Sequence, residues 1–109
     1  MGAFAVGDVV IIPFPYADFS KFKKRPALVV SSAEFDNLIL CQITSRAETS
    51  KRAILLKGAD FSKGSLQLDS FIRPDKLFTV EQSIVETRIG ILKDDKTQSV
   101  KGIIRQLFA

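Results

Sequence analysis

The sequence of 109 residues has no histidine, no tryptophan and a single cysteine, Cys41. Lack of histidine excludes zinc sites of the Cys/His kind and the imidazole pairs that serve many hydrolases as acid and base. One thiol cannot close an internal disulfide, which fits a reducing compartment. No apolar run approaches the roughly 20 residues of a membrane span. The opening MGAFAVGDVV lacks the basic region and long apolar core of a secretory leader, so a cytoplasmic protein with no membrane association is expected. Repeats, low-complexity tracts and linkers are also missing, and one domain over residues 1–109 is expected. Acids are missing locally as well. None stands between residues 21 and 33, although Lys21, Lys23, Lys24 and Arg25 crowd the entrance to the apolar run Ala27–Leu28–Val29–Val30.

What is present is a globular composition, 46% hydrophobic and 26% charged, with a net charge of +4. That charge is localised. From Lys21 to Arg52 there are seven basic residues against three acidic ones, and the remainder balances at nine against nine. Such an excess suits a polyanion, nucleic acid above all, or else forms a solvated basic face.

Short strands are expected over GDVVIIPFP (Gly7–Pro15), Arg25–Ser32, Asn37–Ser45, RAILLK, Asp69–Val80 with an interruption at Pro74, and RIGIL (Arg88–Leu92). Because Pro13 has no amide to donate, pairing must lapse there or leave that side open. YADFSKFKK reads as an exposed loop, and GADFSKGS as a turn with room for one helical turn. In the third strand Ile39, Cys41 and Ile43 share one face, while Gln42 and Thr44 share the other, which carries Thr44 outward. Val100, Ile103, Ile104 and Leu107 mark a helix from about Asp94 to Phe108, capped by Asp94 or Asp95, with Lys96 and Lys101 free to face water. Strands followed by one helix predict a mainly β fold with helical additions, a small curved antiparallel barrel with a C-terminal α-helix.

The blocks KRPALVVSS, LILCQITS and FIRPDKLFTV, in that order after GDVVIIPFP and before IGIL, closely resemble the MazF/PemK family of toxin endoribonucleases from toxin–antitoxin systems. The resemblance runs from Gly7 to the terminal helix. It implies an SH3-like barrel, commonly a homodimer, that cuts single-stranded RNA at a short sequence without metal or other cofactor. It further implies silencing by a cognate acidic antitoxin, with operator DNA a further partner of that complex. Arg25 takes the place of the family's arginine before proline, and Thr44 and Ser45 that of its threonine–serine or threonine–alanine pair. Arg73 and Asp75 match the Arg-x-Asp that one branch uses in catalysis. Other branches rely more on the first arginine and the threonine, or on an acid in the preceding loop, where this chain has only Asp18. Catalytic roles therefore fall to Arg25, Thr44, Arg73 and Asp75, and RNA contacts to Lys21, Lys23, Lys24, Gln42, Ser45, Arg46 and Lys76.

The residues bear on this chemistry independently. RNA cleavage through its own 2'-hydroxyl needs a proton acceptor, a donor for the leaving 5'-oxygen and cations for charge building on phosphorus. With no histidine, the acceptor must be a carboxylate and the stabilisers arginine or lysine. On extended backbone Arg73 and Asp75 point the same way. Arg25 is held extended by Pro26, and both arginines suit mainly electrostatic stabilisation, since guanidinium is a reluctant proton donor; the resemblance leaves Arg25 open as general acid. Other roles exist for each. Arg73–Asp75 can be a surface ion pair around Pro74, and Thr44–Ser45 a strand terminator. Cys41 reads as a core residue, and Phe14, Phe19 and Phe22 as base-stacking faces or packing. The functional alternatives are a non-enzymatic poison and a silent nucleic-acid-binding barrel that regulates its own operon. A gyrase-poisoning relative uses a Trp-Gly-Ile tail, whereas this chain ends RQLFA.

Overall fold

A computed structural model describes residues 4–15, 22–46 and 51–109, with positions 15 and 22 described for their backbone alone. Seven strands form one antiparallel sheet: β1 (Asp8–Pro15), β2 (Phe22–Ala33), β3 (Asn37–Thr44), β4 (Ile54–Leu56), β5 (Phe61–Gly64), β6 (Ser70–Glu81) and β7 (Thr87–Leu92), followed by helix α1 (Asp94–Leu107). Their order across the sheet is β4-β6-β3-β2-β1-β7-β5. The sheet curls into a half-barrel, as the short strands and terminal helix predict.

The long central strands are apolar on both sides. Val9, Leu28, Cys41, Ile43 and Ile72 form one buried cluster with Val100 of α1, and Val10, Ile12, Ala27, Val29, Leu38 and Leu40 form a second. β3 shows the expected alternation, but its second face is core rather than solvent where Leu38 and Leu40 lie. Cys41 has no exposed surface, and burial pushes its thiol up to about 12, so it remains a neutral core residue.

Four sequence expectations change. β2 begins at Phe22 rather than Arg25, because β1 stays in register with it as far as Pro15, placing Lys23 and Lys24 on a strand instead of a loop. Phe61–Gly64 forms a strand where only a turn is expected; the single helical turn does occur, at Gly58–Asp60. Lys93, not an aspartate, occupies the N-cap of α1, although Asp94 and Asp95 sit in its first turn where they complement the helix dipole. Lys96 does not face water freely: its Nζ donates to the Leu55 carbonyl of β4 at 2.7 Å and lies 3.5 Å from Asp60.

Both prolines sit where the ladder allows. β7 accompanies β1 only from Asp8 to Ile11, so Pro13 leaves no donor wanting on that side. On β6 the register with β3 jumps from Arg73 opposite Gln42 to Leu77 opposite Cys41, leaving Pro74, Asp75 and Lys76 outside the pairing. Gly90 and Gly64 face each other across β5 and β7. A Cβ on Gly90 would fall 2.7 Å from the Phe61 ring, and Gly64 has a φ of +70°.

Candidate functional site

The end of the half-barrel where β2 begins and β3 ends holds a cavity of about 480 Å3. Lys23, Lys24, Arg25 and Pro26 of β2 line it, with Thr44 and Ser45 from the end of β3. Ile11, Ile43 and Ile89 contribute apolar lining. The connection from β5 to β6 contributes Ser65, Leu66, Gln67 and Leu68, followed by Ser70. Among the described residues no carboxylate lines it. Lys23, Lys24 and Arg25 make this lining cationic, and in a partly enclosed space such charge attracts anions more strongly than on open surface.

Register places the two arginine motifs on one face. Ala27, Gln42 and Arg73 form a row across β2, β3 and β6. Arg25 lies two residues along β2 from Ala27, and Thr44 two residues along β3 from Gln42, so all four polar residues project to the same side. Two strand spacings across and two residues along separate the Arg25 and Arg73 backbones by about 12 Å. Two extended guanidinium side chains can meet over one phosphodiester at that separation. Arg73 and Asp75 are not cavity-lining residues; Arg25 and Thr44 are, and they share their side of the sheet with Arg73 by register.

Arg73 Nε donates to Asp75 Oδ1 and Nη2 to Oδ2, both at 3.0 Å, a two-pronged ion pair around buried Pro74. Two of five guanidinium N–H groups are thereby engaged. The Arg73 hydrogen bonds hold the Asp75 carboxyl below its ordinary value, with a weaker contribution from the charge of Arg52. Asp75 correspondingly raises Arg73. The carboxylate is therefore a weaker base than a free aspartate, and the arrangement favours charge stabilisation over proton transfer. Because the folded value is depressed, the pair adds stability above the ordinary carboxylate range of about 3.9, and this is lost as pH falls through the folded value. Asp75→Asn should reduce urea stability most near neutral pH, with the difference from the unmodified protein closing under acid; a constant gap from pH 7 to pH 2 would contradict the ion-pair account.

Thr44 is delivered to the expected side, but it is buried rather than outward: it keeps 7% of its surface and its Oγ1 accepts the Arg46 amide at 3.2 Å. This fixes the bend that presents Ser45 to the cavity. Lys24 Nζ lies 2.9 Å from Glu86, which raises the lysine's pKa. The acid missing from the local sequence is thus supplied from 62 positions away, on a segment held by the Glu86 amide donating to the Ile11 carbonyl at 2.9 Å. Gln42 shares the arginine face, while Lys76 is exposed in the unpaired stretch of β6. Lys21, Asp18 and Phe19 lie outside the described residues, as does the Phe22 side chain. Phe14 packs edge-on against Phe78 at 4.7 Å, which is its packing role. Among the described residues no three His, Cys, Asp or Glu side chains gather as metal ligands. Sequence reasoning missed Arg52, Glu86 and the 65–68 wall. Arg52 stands within the basic excess, which is the one signal that pointed toward it.

A family model described as PemK-like, MazF-like toxin of type II toxin–antitoxin system matches residues 5–108. The chain belongs to this family. No curated protein matches it in sequence. In structure, an endoribonuclease in complex with its cognate antitoxin from a mycobacterial species aligns with TM-score 0.75 at 14% identity, over 97% of this chain and 95% of that one. MazE–MazF (Form-III) from Deinococcus radiodurans aligns with TM-score 0.75 at 22% identity, covering 96% and 95%. MazF (Form-I) from the same organism gives 0.73 at 23% identity, covering 96% of each chain. The shared element is the fold, the MazF half-barrel with its terminal helix. Among the described residues no helix is long and apolar enough to cross a membrane.

Proposed function

We propose that this MazF/PemK-family toxin is a sequence-specific, metal-independent endoribonuclease that cuts single-stranded RNA. The observation that carries the reading is the common face of Arg25, Gln42, Thr44 and Arg73, of which Arg25 and Thr44 also line a cavity with Lys23 and Lys24. Membership of a toxin family and likeness to solved endoribonucleases support it. In the reaction the substrate's 2'-oxygen forms a bond to phosphorus as the bond to the 5'-oxygen breaks. The 2'-proton leaves to a base, the 5'-oxygen takes up a proton, and the products end in a 2',3'-cyclic phosphate and a 5'-hydroxyl. Arg25 and Arg73 neutralise charge on the phosphoryl oxygens, where preorganised donors act most strongly. Asp75 positions Arg73, and Ser45 and the Thr44 turn shape the place where the phosphate rests.

An acidic antitoxin segment that competes with RNA for the same cations follows from this electrostatics. A second copy, operator DNA in the antitoxin complex and a cytoplasmic location complete the proposal. The test is incubation of purified protein with long single-stranded RNA in excess chelator. Discrete cuts ending in 2',3'-cyclic phosphate are expected. Intact RNA bound tightly would favour the silent nucleic-acid-binding barrel, and RNA neither cut nor bound would favour a poison that acts on protein.

A further inference from the structure

We propose that the segment 65–68 reads one base of the RNA, with Gln67 recognising adenine. This rests on the nuclease reading above and adds what selects the substrate. The cavity has two chemically different linings. Lys23, Lys24 and Arg25 suit phosphate, a contact that is blind to sequence. Ser65, Leu66, Gln67 and Leu68 carry no charge, and their segment runs from β5, paired with β7, to β6, paired with β3, so it crosses the open end of the curled sheet.

The crossing is clamped at both ends. Gly64 enters it at φ +70°, with no room for a Cβ against the Ile89 carbonyl. At the far end, buried Ser70 donates its hydroxyl to the Leu68 carbonyl at 3.0 Å. On this fixed backbone Gln67 is exposed, and Leu68 keeps 68% of its surface. A volume of about 480 Å3 is pocket-sized and suits one unpaired nucleotide rather than a duplex. A strand whose phosphate rests on the cationic lining turns its base toward the uncharged one. There the Gln67 amide, with one acceptor and two donors, matches the adenine edge, and Leu68 covers the base's apolar face.

The experiment compares cleavage of a pooled single-stranded RNA, randomised in sequence, by the unmodified protein, Gln67→Ala, Gln67→Glu and Lys23→Ala. Rates then follow on four RNAs that differ only at the most strongly selected adenine. The kcat/KM ratio of adenine over the next base should fall about tenfold to a hundredfold in Gln67→Ala, with selection at other positions retained. Gln67→Glu should shift preference toward cytosine, whose amino group a carboxylate accepts. Lys23→Ala should slow all four alike. An unchanged preference in Gln67→Ala, or no adenine selected by the unmodified protein, overturns the assignment. If the unmodified protein cuts nothing, the nuclease reading fails by itself, and fluorescence anisotropy on the same four RNAs decides base reading. Adenine-selective binding lost in Gln67→Ala supports it, and equal binding or no binding overturns it.

Discussion

Arg25→Ala is expected to stop RNA cleavage while leaving the protein folded. Arg25 is partly exposed, opposite Ile12 in the β1–β2 ladder, and it lines the cavity rather than the core. Truncating a side chain of this kind costs no more than about 1 kcal/mol of stability. In the proposed reaction its guanidinium neutralises charge on the phosphoryl group, and losing one preorganised donor of that type slows turnover by about a hundredfold to a thousandfold. Arg25→Lys should recover only part of the rate, because a lysine ammonium lacks the fork that grips two phosphoryl oxygens. Thermal unfolding and single-turnover cleavage, measured on the same preparation, separate the two effects. Cutting at the unmodified rate, or loss of a cooperative melt, would refute the role given to Arg25.

Gly90→Ala should lower stability sharply. The added methyl carbon would stand 2.7 Å from two atoms of the Phe61 ring and 2.9 Å from the Lys63 carbonyl. Phe61 is buried and belongs to the main apolar cluster, so it cannot swing aside without opening that core. Overpacking of this severity costs about 2–3 kcal/mol, which lowers the melting temperature of a chain this size by on the order of 10–20 °C. Gly58→Ala is the internal control, since a Cβ there meets nothing within 4 Å. The companion change Phe61→Leu should restore part of the loss, because the two sites share one contact and their effects do not add. Equal melting temperatures for Gly90→Ala and Gly58→Ala would show that β5 yields freely.

Legibility in the sequence followed the range of the interactions. The Ala27–Val30 run, the alternation along β3 and the Val100–Ile104 face are periodic signals carried by neighbouring residues, and the corresponding elements are present. Arg73 and Asp75 are two positions apart on one strand, so their meeting was readable too. β5 was not: FSKG offers one buried residue, and what makes it a strand is register with β7, nearly 30 residues later. The partner of Lys24 was hidden for the same reason, since Glu86 reaches it only through the β1–β7 end of the sheet. Thr44 looked like an outward residue because parity gives the side of a strand but not what covers that side. The Ser-Leu-Gln-Leu wall carries no motif and becomes meaningful only once the sheet curls beneath it.

The contact of Lys96 with the Leu55 carbonyl has a consequence for self-association. An uncovered outer strand presents unsatisfied acceptors on which a second chain can extend the ladder, and such extension leads toward aggregates. Here the outer strands are only three and four residues long, and an ammonium from the helix already occupies one of those acceptors. Neutralising that lysine is expected to free this acceptor for another chain, which light scattering at high protein concentration would register.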